Sequence, residues 1–121
     1  MQLKNDQPSL ERLYAEIDSY YESRGRFVRI FSNYAYEDKT GFSVEFIIDR
    51  THVVRYSIGE DRGFFLSALE LGIGPRFFSP SVFWSPDESE RFCIDSTPEA
   101  IEANLKLLDE FLGLRPAQTS R

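Results

Sequence analysis

Cys93 and His52, the only cysteine and the only histidine, are the sole side chains that could form a thiolate–imidazole couple. Such a nucleophile needs a base delivered to it by the fold. Cys93 stands in the strand-like run Arg91-Phe92-Cys93-Ile94-Asp95, where a small buried thiol is the ordinary occupant, and His52 opens another strand-like run. No serine lies in a Gly-x-Ser-x-Gly elbow. A zinc-type site would be short of nitrogen and sulfur ligands. The acidic pairs Glu37/Asp38, Glu60/Asp61 and Asp87/Glu88 could offer oxygens to magnesium, but all fall in expected turns, where neighbouring carboxylates stay solvated. Gly72-Ile73-Gly74-Pro75-Arg76 lacks the third glycine of a nucleotide loop and follows a helix-like segment, whereas a phosphate cradle opens a helix after a strand. No catalytic, metal-binding or cofactor-binding residue is therefore assigned, and no cofactor is expected.

Two segments remain that suit recognition. Asn33-Tyr34-Ala35-Tyr36-Glu37-Asp38 sets tyrosines beside acids, and Ser79–Glu90 sets the only tryptophan, Trp84, beside Asp87, Glu88 and Glu90. Large rigid aromatics anchor interfaces, and neighbouring acids steer a basic partner. Tyr34, Tyr36, Glu37, Asp38, Trp84, Asp87, Glu88 and Glu90 are thus the candidate partner-binding residues. The competing reading puts Phe83 and Trp84 in the core with an exposed acidic turn after them. A net charge of −6, from 20 acidic and 14 basic residues, disfavours nucleic acid as a partner and favours a basic protein.

The elements that must hold these residues follow from periodicity. Ser9 caps a helix expected over 9–24, with Leu10, Leu13, Tyr14, Ile17 and Tyr21 at helical spacing. Phe27–Tyr34, Phe42–Ile48 and His52–Ile58 read as three strands joined by short polar turns, which forces an antiparallel meander. A second helix is expected over 61–71, stopped by Gly72, Gly74 and Pro75. An edge strand near Val82–Trp84 and a short strand at Arg91–Asp95 follow. Ser96 and Glu99 form a capping box for a last helix with Ile101, Leu105, Leu108 and Leu112 on one stripe. The expected fold is α+β, an antiparallel sheet packed with N- and C-terminal helices in the order α-β-β-β-α-β-β-α.

The 121 residues fit one domain, 1–121, with 1–8 and 116–121 expected to be disordered. One cysteine precludes an internal disulfide, the N-terminal residues lack the apolar core of a signal peptide, and no run is long enough to span a membrane. Cytoplasmic localisation is the resulting expectation, with the oligomeric state open.

With helices at both ends, an aromatic meander, and the segments SIGEDRGFFLSALELG (57–72) and STPEAIEANLKLLDEFLG (96–113), the chain resembles the small immunity proteins of bacterial polymorphic toxin systems. The resemblance spans about residues 9–113 and is one of size, charge and layout. It implies a cytoplasmic antidote that binds a cognate toxin domain and blocks its active site, with no catalytic residue to carry over. The same order, acidity and length are similar to the type III secretion chaperones, dimers that hold an extended effector segment. This chain departs from them in its aromatic-rich strands and in lacking an apolar dimer helix. A small enzyme or ligand-binding domain with an aromatic pocket is the third reading.

Overall fold

The computed structural model describes residues 8–36 and 41–113. Helix α1, Leu10–Glu22, starts where the Ser9 side chain accepts a hydrogen bond from the Arg12 amide at 3.2 Å. It buries Leu13, Ile17, Tyr20 and Tyr21, a stripe at helical spacing, and leaves Tyr14 exposed. The expected disorder at 1–8 and 116–121 falls, apart from Pro8, outside the described residues.

Strands β1 (Val28–Ala35), β2 (Gly41–Ile48), β3 (His52–Asp61), β4 (Phe64–Ile73) and β5 (Arg76–Phe78) form one antiparallel sheet in sequence order. The α+β class and the terminal helices are as the sequence implies. The difference lies at 61–71, where strand β4 replaces the expected second helix. Arg62 and Gly63 both take positive φ, 56° and 87°, the backbone of a two-residue hairpin turn whose twist matches its strands. The turn folds Phe64 onto Asp61 and continues the meander, so Leu69 and Leu71 reach the core opposite Tyr56 and Val54. The expected strand at Val82–Trp84 is also displaced: β5 lies earlier, and Pro80–Val82 is a 3₁₀ turn leading into the short helix α2, Pro86–Ser89. Arg91–Asp95 contributes no strand, only an isolated bridge from Asp95 to Leu66.

Helix α3, Pro98–Leu112, begins one residue later than the capping box suggests: Thr97, not Ser96, accepts the Ala100 amide at 3.1 Å. Gly113 closes it in the left-handed conformation, φ 74°. Helices α1 and α3 pack on one face of the sheet. Ile101, Leu105 and Leu108 meet Leu13 and Ile17 of α1 and Val44, Phe46, Val54 and Tyr56 of the sheet in a single core. Alternation along the strands turns Arg29, Ile47, Val53, Arg55 and Phe77 to the opposite face, which no described helix covers.

Candidate interaction surface

Strand β1 is an edge of the sheet, with no described strand on its outer side. Its register with β2 shifts between Ile30 and Ser32, so Phe31 is the extra residue of a bulge. Phe31 is 47% exposed and Tyr34 is 53% exposed. Just past the strand, Tyr36 donates its amide to Gly41 at 2.9 Å, and its ring lies 5.3 Å from that of Tyr34. The expected tyrosine pair is therefore a formed, exposed aromatic feature, and Phe31, which the sequence reading passed over, lies on the same edge strand. Glu37 and Asp38 lie outside the described residues.

At the centre of the bare sheet face the charges are paired. Arg55 of β3 reaches Glu45 of β2 and Glu70 of β4, each at 3.1 Å, and its guanidinium lies 4.0 Å from the Phe77 ring centre. Opposite charges facing each other across adjacent strands satisfy one another locally. A partner covering this face would meet few unpaired charges at its centre.

Trp84 stands elsewhere. Its half-buried ring packs on Phe111 of α3 at 4.9 Å, on Phe83 at 5.8 Å and on Phe92 at 6.3 Å. Trp84 also walls a groove of about 370 Å³ with Phe83, Phe111, His52 and Ile73. It thus packs against the core and lines a groove at once. Asp87 and Glu88 sit on α2, where Ser85 and Glu88 form a reciprocal capping box with both hydrogen bonds at 3.1 Å. The Glu88 carboxylate is thereby engaged in holding its own helix, and Asp87, Glu88 and Glu90 are all exposed. Tyr34 and Tyr36 are not brought beside Trp84: β1 is one edge of the sheet, and the Trp84 groove is lined by residues of β3 and β4.

Cys93 and His52 do not meet either. His52 lines the Trp84 groove, and Cys93 lines a separate cleft with Ser67 and Asn104. Asn104 fixes the Cys93 segment by accepting its amide at 2.7 Å and donating to its carbonyl at 2.8 Å, while also donating to the Tyr56 hydroxyl at 2.9 Å. Burial pushes the Tyr56 hydroxyl pKa upward. A second buried polar contact joins the two long helices, with Tyr20 donating to Asp109 at 3.0 Å. Burial raises the Asp109 carboxyl pKa, against the opposing effects of that hydrogen bond and of Arg26 and Arg24. Arg26, buried to 5% exposure, pairs with Asp49 at 3.2 Å beside this site. Asn104 and Asp109 interrupt the apolar stripe of the last helix, and that interruption is the signal by which a sequence could mark them as buried polar residues.

Among the described residues, no group of three or more His, Cys, Asp or Glu side chains could hold a metal ion, and no helix is long and apolar enough to cross a membrane. No family model matches the chain, and no curated protein and no solved structure matches it.

Proposed function

We propose that this chain acts by binding another protein, as an antidote of the immunity-protein kind that covers a toxin domain. The observation that carries the reading is the exposed aromatic group Phe31, Tyr34 and Tyr36 along an open sheet edge. Exposed edges invite association with other chains and are ordinarily blunted by charge or proline. Here they carry rigid aromatics, side chains suited to anchoring an interface. The net charge of −6, with Glu37 and Asp38 directly after Tyr36 in the chain, suits a basic toxin surface and fast encounter. The layout likeness to secretion chaperones is weakened, because the middle helix on which it rests is strand β4.

The test is co-expression with toxin domains encoded beside the gene, followed by binding kinetics of the purified pair. Tyr34→Ala with Tyr36→Ala should speed dissociation at least tenfold without loss of folding. Unchanged kinetics in a folded double variant would place the interface elsewhere. A second reading has its own observation: the groove of about 370 Å³ beside Trp84, walled by aromatic rings, suits a small apolar ligand. Quenching of Trp84 fluorescence by such a ligand would favour it.

A further inference from the structure

Helix α3 ends on the groove beside Trp84. Phe111 and Leu112, the last two residues of the helix, form one wall, and Leu71, Ile73, Phe83 and Trp84 form much of the rest. The space is about 370 Å³, lined chiefly by aliphatic and aromatic side chains. Ile73 is 56% exposed and Trp84 is only half-buried, so apolar surface faces water at this end of the core. An apolar side chain seated there would remove that surface from water.

The chain itself leads an apolar residue to this place. Gly113 takes the left-handed conformation, φ 74° and ψ 21°, and gives its amide to the Glu110 carbonyl at 3.1 Å. A glycine cap of this kind turns the chain off the helix axis, and an apolar residue after it commonly packs back on the end of the helix. That residue is Leu114, just beyond the described residues. Two peptide units separate it from Leu112, so its Cα lies at most about 7 Å from that of a residue already walling the groove. A separate partner would give up its translational freedom to fill the same space, whereas a leucine tethered this closely gives up little. We propose that Leu114 seats in the groove as an intramolecular strap over Trp84. Pro116 favours an extended Arg115, which turns the guanidinium to solvent while Leu114 points inward. A small apolar ligand then enters the groove only by displacing Leu114, so the strap regulates the second reading given above. Binding at the β1 edge does not depend on it.

Trp84 is the only tryptophan, so its fluorescence reports on the groove. In the full chain, Leu114→Asp should shift Trp84 emission to the red and open the ring to quenching by acrylamide. Gln118→Asp, the same charge change outside the strap, should behave as wild type. Nile red, a neutral apolar dye, should bind Leu114→Asp about tenfold more tightly than wild type, because burying a leucine side chain holds the strap closed by about that factor. Nuclear Overhauser contacts from the Leu114 methyls to the Trp84 and Phe111 rings, expected in the wild-type chain, give a reading that needs no variant to fold. Absence of those contacts would overturn the strap. Nile red binding equally to the wild type and to folded Leu114→Asp would also overturn it, and would give the groove to an outside ligand. Failure of the tyrosine variants at β1 would leave all of these readings unchanged.

Discussion

Asp109 carries a carboxyl on the buried stripe of α3, held by the Tyr20 hydroxyl at 3.0 Å, and burial raises its pKa in the fold. The unfolded chain therefore loses this proton first. The stability that Asp109 contributes is complete at pH below the unfolded carboxylate range, about 4, and is lost as pH rises through the raised folded value. Asp109→Asn keeps an acceptor for Tyr20 and removes the titration. Thermal melts from pH 4 to 8 should show a flatter profile for the variant and a higher midpoint at pH 7 than wild type. Asn104 works differently, because its three hydrogen bonds span α3, the Cys93 segment and β3. Asn104→Ala leaves buried groups unpaired and should cost about 2–4 kcal/mol in denaturant unfolding. Neither residue's partner was legible in the sequence. Helical spacing shows that positions 104 and 109 face inward, but the tyrosine side chains they meet, Tyr56 and Tyr20, lie 48 and 89 residues away in the chain.

At the scale of elements, the clearest part of the sequence is also the clearest part of the fold. Ile101, Leu105 and Leu108 form the inner stripe of α3 as their spacing implies, and Leu105 and Leu108 are fully buried. Leu105→Ala and Leu108→Ala should each cost about 2–5 kcal/mol, read by chemical denaturation, because each leaves a cavity as well as losing buried area. Strand β4 was not legible for a physical reason. Phe64-Phe65-Leu66-Ser67-Ala68-Leu69-Glu70-Leu71 places apolar residues on both faces of a strand, which blurs the two-residue period and reads as helical. The short-range signal was Arg62-Gly63, a glycine at the second position of a tight hairpin turn. The displaced edge strand has a similar origin: Pro80 and Pro86 mark where strand pairing cannot run, but not which side of the proline the strand occupies.

For the whole molecule, composition gave an acidic, aromatic-rich protein without saying where either property is displayed. Aromatics in the second candidate segment turned inward, onto Phe111 and Phe92, while those of β1 stay exposed. A linear segment rich in Trp, Phe and acids looks the same in either case, since the difference is set by α3 packing against it. Among the described residues one face of the sheet has no helix over it, and Phe31, Tyr34 and Tyr36 are exposed along the β1 edge. The most direct test of the central claim is site-specific photo-crosslinking in the native cells, with p-benzoylphenylalanine placed in turn at Tyr34, Tyr36 and, as a control, exposed Lys106 on α3. Positions 34 and 36 should each give the same single protein adduct, with none at position 106. Adducts at all three positions alike, or at none, would contradict binding through the β1 edge.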